Sequence, residues 1–126
     1  MLKVLILDDE LSAGKVLKLL IEKFIPVEKE IQVFQSSQEA LEAMETFNPS
    51  LIMLDIEMPE MNGFDFLVAA RANPAWRDMI ILMVTTETEM SQMQRALEAG
   101  ANEYVMKPFT KDVLREKLQL VGLATV

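Results

Sequence analysis

Four short apolar runs in this sequence each end on a residue that can handle phosphate or a metal ion. Val4–Leu7 runs into Asp8-Asp9, Leu51–Leu54 into Asp55, Met79–Val84 into Thr85, and Tyr104-Val105-Met106 into Lys107. If the first, third, fourth and fifth of the strands read below lie side by side, these groups meet at one edge. Carboxylates held close repel, raise one another's pKa and cost stability, and a cation placed among them relieves that cost. The chain contains no His and no Cys. Oxygen-only ligands point to Mg²⁺ rather than zinc, with Mn²⁺ as a substitute. Mg²⁺ takes one or two carboxylates and keeps positions for water and a phosphate oxygen. A Lys ammonium and a Thr hydroxyl across the pocket would hold the other phosphate oxygens. The set suits phosphoryl transfer onto a carboxylate nucleophile. Each member alone has a plainer reading. Asp8-Asp9 fits a turn or a helix start, and Lys107 before Pro108 fits a solvated lysine. It is their joint occurrence, in order, that carries the argument.

The intervening segments are built to position such groups. Leu17, Leu20, Ile21 and Phe24 follow the spacing of one helix face, which Pro26 stops. Ile31–Phe34 reads as a weaker strand. Ser36-Ser37-Gln38-Glu39 has the form of a capping box and opens a helix through Ala40, Met44 and Phe47, closed by Asn48-Pro49. Phe64, Leu67 and Val68 begin a third helix that ends near Asn73-Pro74. Met90, Met93 and Leu97 mark a fourth, with Gly100 as its C′ residue. Thr110 caps a last helix through Leu114, Leu118 and Val121. Five strand-then-helix units with continuously apolar strands predict a doubly wound α/β fold, a parallel sheet covered on both faces. Ligands of such folds bind at the carboxyl ends of the strands.

Composition narrows the function further. At 126 residues the chain is one domain's length, at about 100–200 residues per domain. Its net charge of −8 argues against nucleic-acid binding, which needs Lys and Arg to neutralise phosphates. No apolar run approaches the ~18 residues of a membrane span, and the first strand lacks a signal-peptide cleavage site. A cytoplasmic, soluble domain is expected. Met44, Met79, Met83 and Met106 read as core filler. Met58, Met90 and Met93 fall in loop or fourth-helix positions, and Trp76 falls in a loop far from the pocket.

The segments Leu7-Asp8-Asp9-Glu10, Leu54-Asp55-Ile56-Glu57-Met58-Pro59-Glu60-Met61-Asn62-Gly63, Val84-Thr85-Thr86 and Tyr104-Val105-Met106-Lys107-Pro108-Phe109 closely resemble the receiver domains of bacterial two-component response regulators. The resemblance covers essentially the whole chain, residues 1–126, and extends to the CheY-like single-domain members. It implies a flavodoxin-like (βα)5 fold with strand order 2-1-3-4-5, an order for which CheY is a standard illustration. It also implies roles. Asp55 is the phosphoacceptor for a histidine kinase or phosphotransfer protein. Asp9 and Asp55 ligate Mg²⁺, Asp8 contributes through water, and the Glu57 backbone carbonyl completes the protein ligands. Lys107 pairs with Asp55 and then with the phosphoryl group. Thr85 bonds a phosphoryl oxygen, and Tyr104 turns inward in response, changing the surface formed by helix 4, strand 5 and helix 5. The Lys107–Pro108 bond is cis. Glu57 and Glu87 place extra negative charge at the pocket rim.

On this reading the chain is a signalling switch rather than an enzyme, limited to stoichiometric self-phosphorylation and dephosphorylation. Its output is contact with a downstream protein, of chemotaxis type or in a phosphorelay. With no output domain inside the 126 residues to bring together, a monomer is expected. Two alternatives differ in kind. One is a receiver excised from a longer regulator. The other is a Mg²⁺-dependent phosphohydrolase, whose nucleophile would sit after the first strand in an Asp-x-Asp pattern rather than after the third.

Overall fold

The computed structural model describes residues 1–56, 63–86 and 91–123. Its strands are β1 (Leu2–Leu7), β2 (Lys29–Phe34), β3 (Leu51–Asp55), β4 (Ile80–Thr86) and β5 (Glu103–Lys107). Its helices are α1 (Leu11–Phe24), α2 (Ser37–Phe47), α3 (Gly63–Ala72), α4 (Met93–Glu98) and α5 (Lys111–Leu120), with a short 3-10 turn at Pro74–Trp76. All neighbouring strands are parallel, in the order β2-β1-β3-β4-β5.

Parallel strands buried on both sides are apolar throughout, and their alternation divides the core in two. Leu5, Leu7, Ile52, Leu54, Ile81 and Met83 face α2, α3 and α4, where Met44, Phe66 and Met93 meet them. Val4, Ile6, Met53, Leu82, Val84 and Val105 face α1 and α5, where Leu17, Ile21, Leu114 and Leu118 meet them. Met44, Met79 and Met83 are core residues as expected, but Met106 is 36% exposed. It lies on β5, which has a strand neighbour on one side only.

The helix ends follow the local chemistry. Ser36 Oγ accepts from the Glu39 N–H at 3.4 Å and Thr110 Oγ1 from the Val113 N–H at 3.2 Å. Asn48 ends α2 in the left-handed conformation, and Gly100 follows α4 with φ +118°, a backbone that favours glycine.

Arg71, at the end of α3, ties three segments together. Nε donates to the Gly100 carbonyl at 3.0 Å, Nη1 to the Trp76 and Arg77 carbonyls at 3.0 and 3.2 Å, and Nη2 to Asn102 Oδ1 at 2.8 Å. The same Asn102 oxygen accepts the Ile81 N–H at 2.8 Å, at the start of β4. Burial lowers the pKa of this guanidinium, yet it stays charged, so its bonds to neutral acceptors are charge-assisted. Arg71→Met should therefore lower unfolding free energy by about 2 kcal/mol or more, read as a lower urea midpoint. Arg71→Lys should recover little of it, because an ammonium cannot reproduce the planar fork.

Candidate functional site

Because every strand runs the same way, the polar residues that terminate them gather at one edge. Asp8 and Asp9 follow β1, Asp55 is the last residue of β3, and Lys107 is the last of β5. Thr85 lies one position beyond the rung that joins Asp55 to Val84. One carboxylate oxygen from each of Asp8, Asp9 and Asp55 lies within 4.8 Å of the others. Asp8 is 1% and Asp55 7% exposed, while Asp9 faces solvent.

The pocket's cation is Lys107. Its Nζ donates to Asp8 Oδ2 at 2.9 Å and stands 3.8 Å from Asp55 Oδ2. The lysine thus lies nearer to Asp8 than to the Asp55 carboxylate named from the sequence. Burial acts to lower its pKa. The hydrogen bond to Asp8 and the charges of Asp55, Asp8 and Glu10 outweigh that effect, and the pKa rises above the ordinary lysine value. The ammonium is therefore fully charged at neutral pH. Asp8 is further fixed by the Glu10 backbone N–H, which donates to its Oδ1 at 2.9 Å.

Thr85 is fully buried, and its hydroxyl donates to the Thr86 carbonyl at 3.3 Å. The Lys107–Pro108 bond is cis. Beside the charged cluster, Ala13, Val16, Leu17, Thr86, Lys107, Pro108 and Phe109 line an apolar cavity of about 410 Å³. Glu57, Met58, Glu87 and Met90 lie outside the described residues. Trp76 is buried in the α2–α4 half of the core, next to the N-terminal end of β4 and so at the opposite end of the sheet from the carboxylates.

Gly63 sets the approach of α3 to this edge. A Cβ there would collide with the Asp55 carbonyl oxygen and stand 2.8 Å from the Ile56 Cα. The Gly63 N–H donates to the Ile56 carbonyl at 2.7 Å. Only a residue without a side chain lets the helix begin this close to the strand that carries Asp55.

The comparison with known proteins decides the family. The model of the response regulator receiver domain matches residues 4–119. The chain belongs to the response regulator receiver domain family. The receiver is 32% identical to chemotaxis protein CheY1 of Helicobacter pylori, over 95% of this chain and 96% of that protein. It is 33% identical to chemotaxis protein CheY of Pseudomonas aeruginosa, over 95% of each. The solved structure of the Vibrio cholerae chemotaxis response regulator CheY4 superposes with a TM-score of 0.84 at 31% identity, covering 96% of this chain and 98% of that one.

A receiver domain is a phosphorylation-controlled switch of two-component signalling. It acts through contact with kinases and downstream targets, as a signalling domain rather than an enzyme. Among the described residues, no helix is long and apolar enough to cross a membrane.

Two groups of contacts in this receiver join residues of different elements. Arg95 of α4 stacks on the Phe64 ring of α3 at 4.2 Å. Toward the start of β5, Glu103 and Tyr104 form a cluster with Lys117 of α5. Neither has a short-range signal, since the partners lie on different elements. An Arg or Lys on a helix looks like a solvated one until the neighbouring element is placed.

Proposed function

We propose that Asp55 is the phosphoryl acceptor and that the chain, residues 1–126, works as one chemotaxis-type receiver whose state is read by a downstream protein. The observation that carries this is the meeting of three carboxylates within 4.8 Å, with Lys107 reaching both Asp8 and Asp55. An Asp55 carboxylate oxygen attacks the phosphorus of a phosphohistidine. The P–N bond breaks, the imidazole leaves and takes up a proton, and an acyl phosphate remains. The donor is a histidine kinase or phosphotransfer protein.

The donor set fits a hard divalent cation. It is all oxygen, densely negative and partly open to solvent at Asp9. Asp9 and Asp55 would hold Mg²⁺ directly, Asp8 through water, and the Glu57 carbonyl would complete the protein ligands; Mn²⁺ would substitute. The ion would neutralise charge on the transferring phosphoryl group. Lys107 then turns from the carboxylates to a phosphoryl oxygen, and the Thr85 hydroxyl exchanges the Thr86 carbonyl for another. Tyr104 follows Thr85 inward, and the surface of α4, β5 and α5 changes. New charge-assisted bonds thereby bias a two-state element. Support for the chemotaxis assignment comes from relatives named as CheY that match this chain nearly end to end. The protein acts as a cytoplasmic monomer.

Incubation with a small phosphodonor should add a single phosphoryl mass, present with Mg²⁺ and absent when the ion is chelated. A folded protein that never gains the adduct, from a small donor or from a kinase, would contradict the reading. Millimolar Mg²⁺ should also raise the melting temperature, because it binds the carboxylate cluster of the folded state and not the unfolded chain. Circular dichroism is the proper probe, since Trp76 lies at the far end of the sheet. Asp9→Asn should shrink the shift, and no shift in the parent protein would count against a metal pocket.

A further inference from the structure

The edge strand β5 carries a contact cluster that the phosphorylation chemistry does not use. Glu103 Oε1 accepts from Lys117 Nζ at 3.1 Å and from the Tyr104 backbone N–H at 3.0 Å. The same Lys117 ammonium stands 4.5 Å from the centre of the Tyr104 ring. Both charged side chains are about four-fifths buried, at 21% exposure for Lys117 and 22% for Glu103, so water screens the pair less than it would on an open surface. A single carboxylate thus grips the backbone of Tyr104 and also fixes the cation that rests on its ring.

We propose that Glu103 and Lys117 are positioning residues that latch Tyr104 in its unphosphorylated place and so set how far the switch leans toward the active state before phosphorylation. The inference rests on the reading of Tyr104 as the residue that turns inward behind Thr85. If the ring turns inward, it leaves the ammonium that now stands 4.5 Å from its centre. A contact of that kind shifts the equilibrium by its own differential strength and by no more. Glu103 acts through Lys117, by holding the ammonium where the ring can meet it. When the ring turns in, Lys117 loses its aromatic partner, and its charge becomes more available at the α5 surface.

Tyr104 is the only tyrosine in the chain, so incorporation of 3-fluorotyrosine gives one ¹⁹F resonance that reports its position. The probe for the active state is Mg²⁺ with beryllium fluoride, a mimic of the acyl phosphate. In the parent protein the resonance should move on addition of the mimic. In Lys117→Met it should already be displaced part of the way toward that position, with the active population raised ~3–10-fold. Labelling by a small phosphodonor should quicken by a similar factor. Glu103→Gln should act in the same direction but less, and Lys117→Arg should restore the parent resonance, because a guanidinium keeps both the carboxylate and the ring contact. Melting curves confirm that each variant is folded. If the parent resonance moves with the mimic while Lys117→Met and Glu103→Gln start where the parent starts, the latch is wrong and the tyrosine switch stands. If the adduct forms on Asp55 and the parent resonance stays in place, the switch role of Tyr104 fails and takes the latch with it.

Discussion

Asp55→Asn should abolish the phosphoryl adduct and, without divalent ions, make the protein more stable, whereas Lys107→Met should make it less so. The two signs come from one cluster. Asp8, Asp9 and Asp55 bring three negative charges within 4.8 Å, and Lys107 supplies the cation that faces two of them. Neutralising Asp55 relieves repulsion at the price of its longer 3.8 Å contact with Lys107, for a gain of about 1 kcal/mol. Removing the ammonium leaves Asp8, only 1% exposed, without its closest cation. A fully buried unpaired charge costs about 3–5 kcal/mol. Lys107 is itself a quarter exposed, so solvent softens the loss to about 2 kcal/mol. Mg²⁺ should restore more stability to Lys107→Met than it adds to the parent protein. Urea unfolding of the three proteins, with and without Mg²⁺, checks the signs. Stabilisation by Lys107→Met would show that carboxylate repulsion is not what the lysine counters.

Gly63→Ala should be among the most damaging single changes in the chain. The added Cβ would meet backbone, the Asp55 carbonyl oxygen and the Ile56 Cα, and backbone cannot rotate aside as a side chain can. Either the start of α3 moves outward or the end of β3 does. Moving α3 loosens Phe66 and Leu67, both fully buried. Moving β3 displaces Asp55 from Asp8 and Lys107. We expect a loss above about 3 kcal/mol, together with phosphoryl labelling reduced well beyond what the unfolded fraction explains. A Gly63→Ala protein with parent stability and labelling would mean that α3 does not start against β3 in solution.

The centre of the sheet was legible because β3 and β4, and most of β1, are buried and read as apolar runs, each ending where a polar residue must emerge. Helix starts were legible at Ser36 and Thr110, whose hydroxyls do what a cap does. The gathering of Asp8, Asp9, Asp55, Thr85 and Lys107 followed once the strands were set parallel and side by side. Which carboxylate Lys107 reaches first did not follow. That depends on the stagger between β5 and β1, which are separated in the sheet by β3 and β4, and no local pattern encodes it. Arg71 was invisible for a related reason. A helix-terminal arginine is ordinarily solvated, and its acceptors come from residues 76 to 102. Met106 alternates correctly for a core residue, yet it sits on the edge strand and stays 36% exposed.

Whether the acyl phosphate forms on Asp55 is decided by borohydride trapping. Protein labelled with a small phosphodonor and Mg²⁺ is treated with borohydride, which reduces an acyl phosphate to an alcohol, and is then digested and mapped by mass spectrometry. The account predicts homoserine at position 55, dependent on both donor and Mg²⁺. Reduction at Asp8, Asp9 or another carboxylate, with position 55 untouched in protein that carries the phosphoryl mass, would contradict it.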